Sequence, residues 1–377
     1  MPSEVFGITL RTHFRENLSQ KLLRLFMAMN PEKAVKPKSI WAVKLHFGER
    51  GNHTFIRPHL VRTFTDALKS FQAKPFLTDT NTLYVGGRIN SADHLETAVM
   101  HGFGYEVTGA PLIIADGLRG SNEVAVEVNR GGVTHAYIAA DFAAADGAVI
   151  LSHVKGHELT GFGGALKNVG MGAASRRGKL DQHSDLSPKV SAKKCISCGR
   201  CIRQCAHQAI SFTEEKKARI DPAKCVGCAS CIPVCPEAAI DIQWDGDAPK
   251  FMKKMIEYSK AALAGKEDRV FYINFINGLS PLCDCNNHSD APIVADLGIL
   301  ASCDPVALDL ASAELVNNAQ GLPHSALPES AMAPGADKWE ALHPGCQWPY
   351  QLQYAEEIGL GSRDYKLTWL PEAKGVE

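Results

Sequence analysis

KCISCGRCIRQCAHQAI at residues 194–210 and KCVGCASCIPVCPEAAI at residues 224–240 are two copies of one cysteine spacing. In each copy, two gaps of two residues are followed by a gap of three, and every cysteine of the first copy recurs in the second. Such a duplication supplies four soft thiolates per copy. Three thiolates on a tight loop can cap one face of an iron–sulfur cube, and the fourth, further along, can reach a second cube.

The stretch from about residue 189 to 245 resembles the bacterial-type two-cluster ferredoxins, in which the last cysteine of each copy binds the cluster of the other copy. The resemblance implies two [4Fe–4S] clusters with crossed ligands. One cluster would be bound by Cys195, Cys198, Cys201 and Cys235, and the other by Cys225, Cys228, Cys231 and Cys205. In the second copy Pro236 follows the last cysteine, whereas in the first copy Ala206 does. The first copy therefore lacks one rigid turn but keeps all four cysteine ligands.

Zinc sites and disulfide frameworks fit this spacing poorly. Zinc sites use CxxC pairs separated by a longer gap, and disulfide frameworks belong to small secreted chains. The amino terminus lacks the basic start and the small-residue cleavage site of a signal peptide. Because the chain combines twelve cysteines with no export signal, we predict a cytoplasmic protein that keeps its thiols for metal.

Length and charge limit the classes of partner. The chain has 377 residues, enough for two or three domains, and 45% of them are apolar. Its net charge of −1 gives no reason to expect wholesale binding to nucleic acid or to a membrane surface. No apolar run approaches the roughly 18 residues that span a bilayer. We therefore expect a soluble protein with no nucleic-acid partner and no membrane span.

The regions on both sides of the cysteine repeats predict one α/β domain. Residues 39–47 alternate apolar and polar side chains, as a strand does. Further strands are predicted at 75–79, 111–116, 147–152, 270–276 and 292–296, with helical apolar stripes at 60–71, 95–99 and 251–263. Alternating strands and helices indicate a mostly parallel sheet with helices on both faces, interrupted by a small α+β ferredoxin-like domain.

The predicted domain organisation places the cysteine repeats as an insertion. The α/β domain covers residues 1–188 and continues over 246–320, and the two-cluster insert covers 189–245. Residues 321–377 are rich in proline, glycine and tryptophan, which predicts an irregular C-terminal covering segment.

Polar residues follow the ends of the predicted strands, the edge at which open α/β sheets bind ligands. Lys44 and His46 share one face of the first strand, Asp79 ends the second, and Lys155 follows the fourth. We predict that these four residues are catalytic, binding an anionic substrate or transferring protons. The alternatives are an ordinary Lys–Asp ion pair that closes the sheet and polar residues that merely cap strands.

Two further segments carry weaker signals. GFGGALKN at residues 161–168 can present backbone N–H groups to an anion, although it matches neither a Walker A loop nor a dinucleotide fingerprint. A flexible turn with a solvated Lys167 is the alternative. Asp304 and Pro305 predict a helix start, and Asp309 one turn later is either a buried acid or part of a solvated helix face.

The pair Cys283 and Cys285 predicts a further metal site, with zinc or iron bound together with His153 or His157. If the pair lies in an extended segment, its two side chains point the same way and can bind one ion. A redox-active cysteine pair, a thiol that binds substrate and two merely structural cysteines are the alternatives.

The chain as a whole resembles the family called "domain of unknown function 362" from about residue 5 to 316. The matching segments are KLHFGE at 44–49, DTNTLY at 79–84, Asp116–Gly117, SHVKGH at 152–157, GFGGALKN at 161–168, Cys283–Cys285 and DPVALD at 304–309. The resemblance implies an iron–sulfur protein with an α/β body. It implies no substrate.

We expect an iron–sulfur oxidoreductase in which two clusters relay electrons to or from the polar crevice at the strand ends. The alternatives are an electron carrier without its own substrate and a non-redox module with structural clusters. The insert carries nine Lys and Arg against six Asp and Glu, an excess that suits an acidic redox partner such as a ferredoxin or a flavoprotein. A small anionic substrate is the other expected partner.

Overall fold

The computed structural model describes residues 1–184, 187–243 and 247–372. The strands are β1 (Ser3–Ile8), β2 (Ile40–Lys44), β3 (Lys74–Asp79), β4 (Leu112–Ile114), β5 (Glu123–Arg130), β6 (Val133–Ala139), β7 (Gly147–His153), β8 (Lys155–His157), β9 (Gly161–Gly163), β10 (Lys189–Val190), β11 (Ile210–Phe212), β12 (Ala218–Ile220), β13 (Ile240–Asp241), β14 (Val270–Ile276), β15 (Gly298–Ser302) and β16 (Tyr365–Trp369).

The helices connect these strands. They are α1 (Leu18–Met27), α2 (Pro58–Ser70), α3 (Ser91–Met100), α4 (Tyr105–Thr108), α5 (Ala140–Ala144), α6 (Ala165–Gly170), α7 (Arg176–His183), α8 (Arg200–Gln204), α9 (Ala248–Leu263), α10 (Pro305–Asn317), α11 (Lys338–Leu342) and α12 (Pro349–Glu357), with 3₁₀ turns at Pro31–Lys33 and Glu329–Ala331.

The main sheet of the described residues has eight strands in the order β16-β1-β15-β14-β7-β2-β3-β4. Strands β14, β7, β2, β3 and β4 pair in parallel, and β15 runs antiparallel to both of its neighbours. In the register Val43 lies between Leu77 and Val149. The predicted mostly parallel sheet is confirmed, and the carboxyl ends of the five parallel strands meet at one edge.

Helices cover both faces of the sheet because alternate residues of each central strand face opposite cores. In β2, Trp41 and Val43 belong to the core under α1 and α2, whereas Ala42 belongs to the core under α6, α9 and α10. Phe64 of α2 is fully buried in the first of these cores, and burial of such a side chain contributes roughly 1.5–3 kcal/mol. Met255 of α9 fills the second.

Five of the six predicted strands form, but the one at 292–296 was wrong. There the chain makes only an isolated bridge between Val294 and Gly321, and the strand of the sheet is β15. Two apolar stretches follow each other at this point in the sequence. Pairing with β1 and β14, a tertiary requirement, selects the second stretch.

The C-terminal segment is more regular than predicted. Within the described residues it contains α11, α12 and β16, and β16 pairs in parallel with β1 at the edge of the main sheet. The prediction of an irregular covering segment was therefore wrong for these parts. Residues 373–377 lie outside the described residues.

The cysteine-rich insert is built from short elements around its own small core. Strand β10 pairs with β13 and β11 pairs with β12, both antiparallel, and α8 carries Cys201. Ile210, Ile232 and Ile240 pack in this core with the cysteines around them. The predicted end of the insert, at 244 and 245, lies outside the described residues. Among the described residues, no helix has the length and apolar character to cross a membrane.

Candidate functional site

A cavity of about 370 Å³ opens at the edge where the parallel strands end. Its size is within the range of small-molecule sites. All four residues predicted as catalytic line it, together with side chains from α6, α7, α9 and the loop after β14. The polar and sulfur-bearing lining includes Lys44, His46, Asp79, Tyr84, Arg88, Lys155, His157, Lys167, Lys179, Cys283 and Cys285.

A buried ion-pair network forms the floor of the cavity. Lys44 Nζ lies 3.0 Å from Asp79 Oδ1 and donates to Asn168 Oδ1 at 2.8 Å. Arg88 lies 3.2 Å from the other oxygen of Asp79. Burial would raise the pKa of Asp79, but Lys44 and its neighbours lower it below its usual value. The predicted neighbourhood of Lys44 and Asp79 is confirmed, and the pair is buried rather than solvent-exposed.

His46 and His157 present N–H groups at the cavity. Nδ1 of His46 accepts from the backbone N–H of Gly48, and Nδ1 of His157 accepts from the backbone N–H groups of Leu159 and Thr160. Burial holds the pKa of both rings well below 6.5, so both are neutral with the proton on Nε2. Neither Nε2 has a hydrogen-bond partner within the described residues. Both rings line the cavity as hydrogen-bond donors.

Asp284 organises a second buried cluster beside the cavity. Its carboxylate lies 2.9 Å from His153 Nδ1 and 3.2 Å from Lys155 Nζ, and it accepts from the Thr54 hydroxyl. Burial would raise the pKa of Asp284, but His153 and Lys155 lower it well below its usual value. Nε2 of His153 faces the carbonyl of Asn277 at 3.0 Å.

The contacts of His153 speak against the metal role predicted for it. Nδ1 lies 2.9 Å from the Asp284 carboxylate and Nε2 lies 3.0 Å from the Asn277 carbonyl, so neither nitrogen is directed at the cysteine pair. The sequence spacing of His153 and His157 placed them on one loop, but the chain directs the first ring toward Asp284 and the second toward the cavity. Among the described residues, no group of three His, Cys, Asp or Glu side chains is arranged to hold a single metal ion.

Cys283 and Cys285 lie in a turn at the cavity, so the extended geometry that would point both side chains the same way is absent at this pair. The backbone N–H of Asn286 donates to the carbonyl of Cys283 at 3.0 Å and closes the turn. Cys283 Sγ lies 3.4 Å from Lys167 Nζ and 3.4 Å from the backbone nitrogen of Cys285. Hydrogen bonding from the Cys285 thiol, supported by Lys167, lowers the pKa of Cys283 to about 5. The same interaction raises the pKa of Cys285.

The glycine-rich loop does bind an anion, but the anion is the protein's own Asp309. Its carboxylate accepts from the backbone N–H groups of Ala165 at 2.7 Å and Leu166 at 2.9 Å, at the start of α6. Asn274 donates to the same carboxylate. Burial raises the pKa of Asp309 to about 6. A Cβ atom on Gly164 would lie 2.3 Å from Asp309 Oδ1, so glycine is required there by close packing.

Several residues of the cavity were missed by sequence reasoning. Arg88 and Tyr84 come from the loop after β3, and Lys179 and His183 come from α7. Nothing in their local spacing distinguishes them from solvated residues. The Gly86–Gly87 pair just before Arg88 was the only available signal, because a Cβ on Gly87 would meet the Glu49 carboxylate that pairs with Arg88.

The cavity carries an excess of positive charge. Its lining includes five Lys or Arg side chains but only two Asp or Glu side chains. Lys167 has no carboxylate within ion-pair distance among the described residues, and Lys179 donates instead to the Thr80 hydroxyl and the Ala174 carbonyl. Together with the Nε2–H groups of His46 and His157, this lining can hold an anion in a largely desolvated space.

The insert contains two small cavities, each lined by four cysteines. One is lined by Cys195, Cys198, Cys201 and Cys235, and the other by Cys205, Cys225, Cys228 and Cys231. These are the two crossed sets that the ferredoxin resemblance implied. In a cube each thiolate binds a different iron, so the ligands lie further apart than those of a single ion. The donor set and its division therefore fit two [4Fe–4S] clusters.

The insert and the strand-end cavity share a wall. Leu83 lines the cavity and also packs in the core of the insert. On α7, Lys179 and His183 line the cavity, whereas Leu180 between them packs with the insert. One layer of side chains thus separates the cysteine-rich core from the cavity.

Comparisons with known proteins identify a family and, among solved structures, proteins of low similarity. The family model described as Domain of unknown function (DUF362) matches residues 42–314. No curated protein matches the chain. Among solved structures, the chain is similar to the lactate racemase apoprotein from Thermoanaerobacterium thermosaccharolyticum, at 13% identity and a TM-score of 0.40. The match covers 84% of this chain and 57% of that one. A similarity this low carries no information about substrate or reaction.

Proposed function

The chain belongs to the DUF362 family, whose model matches residues 42–314 of 377, and we propose that it is an iron–sulfur oxidoreductase. Its two halves have separate tasks in this proposal. The insert holds two [4Fe–4S] clusters, and the strand-end cavity of the α/β body holds an anionic substrate.

Eight cysteines would hold the clusters in the two crossed sets that line the small cavities. A bound [4Fe–4S] cluster supplies one-electron transfer, commonly at low potential. The backbone around the cysteines suits this role, since the N–H groups of Ala209 and Ala239 point at Cys205 Sγ and Cys235 Sγ at 3.3 and 3.2 Å. Hydrogen bonds to cluster sulfurs tune the potential.

The shared wall formed by Leu83 and α7 is the observation that carries the proposal. A cluster domain used only as a structural staple has no need to share side chains with a polar cavity. Leu83 contacts both the core of the insert and the cavity. This arrangement gives electrons a short route between the two, which favours an oxidoreductase over a module with structural clusters.

The cavity residues would bind and orient the substrate. The Nε2–H groups of His46 and His157 are well placed to hold an anion, because the contacts of Nδ1 leave Nε2 directed at the cavity. Lys167 also lines the cavity, and within the described residues it donates to Cys283 Sγ rather than to a carboxylate. Lys44 and Lys155 are already paired with Asp79 and Asp284, so they add positive field more than a free contact. Proton transfer would fall to a group with an exchangeable proton in the cavity, such as the Cys285 thiol.

Electrons would enter from an acidic redox protein. A groove next to Cys235 is lined by Arg119, Arg200 and Arg203, all of which are exposed. Positive charge beside a cluster ligand attracts an acidic carrier and orients it for electron transfer. A ferredoxin or a flavoprotein has the required chemistry.

The decisive experiment combines metal analysis with anion binding. Anaerobically purified protein should contain about eight iron and eight sulfide per chain, and dithionite should reduce it reversibly with an EPR signal of [4Fe–4S]⁺. Inorganic phosphate serves as the probe anion, with binding measured by calorimetry. Lys167→Met should weaken phosphate binding about tenfold or more, since a charged hydrogen bond to the anion is lost.

The matched control for this experiment is Lys366→Met, a surface substitution in β16. It should leave both iron content and phosphate affinity unchanged. Clusters that cannot be reduced would overturn the redox proposal. Reducible clusters together with phosphate binding that is equal in all three proteins would favour the alternative, an electron carrier without its own substrate.

A further inference from the structure

The turn at Cys283–Asn286 brings two cysteines together at the cavity. In an extended chain, residues two apart are near the upper limit of the Cα separation that a disulfide tolerates. Here the hydrogen bond from Asn286 to the carbonyl of Cys283 folds the chain back. The backbone nitrogen of Cys285 lies 3.4 Å from Cys283 Sγ, and the carboxylate of the intervening Asp284 is directed away toward His153 and Lys155. The turn therefore places the two cysteines side by side at the cavity.

The surroundings favour reactivity over a structural role. Reactive cysteines lie in electropositive places, and Lys167 Nζ is 3.4 Å from Cys283 Sγ. Cys283 is 1% exposed and lines the cavity. The attraction of the Cys283 sulfur raises the pKa of Lys167 although burial alone would lower it. Two packed apolar thiols would not require a cation.

A metal at this pair has too few ligands. His153 is occupied by Asp284 and Asn277, and no third His, Cys, Asp or Glu in the described residues completes a set. A stable zinc or iron site needs at least three protein ligands. The chemistry that remains for Cys283 and Cys285 is one that needs two sulfurs and no further ligand.

We propose that Cys283 and Cys285 form a reversible dithiol–disulfide couple that stores two electrons at the cavity. The proposal rests on the function proposed above, because it takes its electrons from one-electron donors of the iron–sulfur class. It adds that this protein converts single electrons into a pair before they meet the substrate.

The step balances in electrons and protons. Reduction breaks the bond between the two sulfurs and consumes two electrons, delivered one at a time, and one proton. Cys285 takes the proton as its thiol, and Cys283 remains a thiolate beside Lys167. Oxidation reverses each change. A disulfide across one intervening residue closes a very small ring, and strained disulfides are the easily reduced, catalytic kind.

The test reads the cysteines directly by mass spectrometry. Anaerobic holoprotein is poised at a series of potentials with mixtures of reduced and oxidised dithiothreitol, alkylated with N-ethylmaleimide, digested and analysed. The peptide that contains both cysteines should change from doubly alkylated to an unlabelled form about 2 Da lighter than the dithiol, along a two-electron Nernst curve. Cys285→Ala should abolish the lighter form while Cys283 stays alkylated. The control Cys303→Ser, at a surface cysteine, should behave as the wild type.

The outcomes separate this proposal from the one on which it rests. A peptide that stays doubly alkylated at every potential overturns the couple, even if the clusters in the same sample are intact and reducible. One equivalent of zinc or iron lost in Cys283→Ala, with intact clusters, also overturns it and assigns a metal site. If the couple titrates but the clusters are absent or silent, the couple stands and the iron–sulfur relay fails.

Discussion

The insert and the strand-end cavity are built in opposite ways. In the insert, four cysteines of each copy fall within eleven residues, and the resemblance to two-cluster ferredoxins implied the two crossed quartets that line separate cavities. In and beside the cavity, neighbours such as Lys44 and Asn168, or His153 and Asp284, are more than a hundred residues apart. The first site is encoded locally, and the second exists only when the sheet has formed.

This difference has a consequence for how each site responds to mutation. A cysteine of the insert belongs to a quartet with three members on one short loop and the fourth on the other copy. In the proposed function its loss would remove a cluster and disturb little else. A residue of the cavity is also part of the fold, because Lys44 and Asp79 are buried and form an ion pair, and Lys155 pairs with the buried Asp284 beside the cavity. Substitutions there should change stability and function together.

The largest effect is expected from exchanging one cluster ligand. Cys235→Ser should remove the cluster of Cys195, Cys198 and Cys201 and leave the other intact, so iron should fall to about half. Cys205→Ser is the matched variant and should remove the other cluster. EPR of the dithionite-reduced variants identifies the surviving signal. If each variant damages the cluster of its own copy, the crossed division is wrong.

Removal of Lys44 should show the cost of a buried charge. Lys44→Ala leaves Asp79 with Arg88 as its main cation, and breaking a buried ion pair from one side costs about 3–5 kcal/mol. Thermal unfolding measures the loss. Arg62→Ala, which removes an exposed ion pair with Asp66, is the control and should cost roughly 0.2–1 kcal/mol. Equal effects of the two substitutions would show that the network is not tightly buried in solution.

A methyl group on Gly164 should disturb the cavity through its scaffold. Gly164→Ala places a Cβ 2.3 Å from Asp309 Oδ1, and overpacking of this kind costs about 1–3 kcal/mol. Phosphate affinity should fall as well, because α6 carries Lys167. Gly265→Ala meets no neighbouring atom but strains a backbone with φ of 76°, so it should lose stability without changing phosphate affinity. A Gly164→Ala protein with normal stability and affinity would contradict this packing.

The rate at which Cys283 is alkylated should change with pH in the acidic range, below the range in which an ordinary thiol titrates. The thiolate is the nucleophile, and the pKa of Cys283 is about 5, lowered by the Cys285 thiol and by Lys167. The rate of iodoacetamide alkylation, read on the peptide, should be flat above pH 6 and fall about tenfold from pH 7 to pH 4. Partial burial and Asp304 raise the pKa of Cys303, so its rate should rise only in alkaline solution. Parallel profiles for the two cysteines would contradict the assigned environment.

The same pKa has a consequence for stability with a definite sign. A thiol whose pKa is lowered in the folded state stabilises the fold at pH values above its unfolded pKa, near 9. That contribution disappears as the pH falls through about 5. The stability difference between the wild type and Cys283→Ala should therefore shrink on acidification.

The smallest effect is expected at the surface of the insert. The double variant Arg200→Ala/Arg203→Ala should slow association with an acidic ferredoxin about three- to tenfold at low salt, and the difference should vanish at high salt. Stopped-flow reduction of the clusters measures it. Lys366→Ala, on the far edge of the sheet, is the control. An effect that does not depend on salt would argue against an electrostatic docking site.

Sequence reasoning predicted the parts of the molecule that depend on local spacing. The alternation of apolar and polar residues around Trp41 and Val43 predicted a central strand. The carboxyl ends of the predicted strands pointed to Lys44, His46, Asp79 and Lys155, and all four line the cavity. Parallel strands force their carboxyl ends to one edge, so the position of the cavity followed from the topology.

The remainder depends on tertiary contacts that leave no local pattern. The main sheet contains β15 rather than 292–296 because β15 pairs with a strand on each side, β1 and β14. His153 and His157 have the spacing of metal ligands, but Asp284, distant in sequence, decides where the first one points. Arg88 and Lys179 look like ordinary surface residues until the loop and the helix that carry them close over the sheet.

Because the insert and the cavity share a wall, the insert cannot be exchanged as an independent domain. The chain enters it from α7 and leaves it into α9, and both helices contribute side chains to the cavity. Anyone grafting an independent two-cluster domain in its place would have to reproduce the apolar surface that receives Leu83 and Leu180. Without that surface the cavity loses its outer support. Changes in the cysteine-rich insert and in the strand-end cavity are therefore expected to be inherited together.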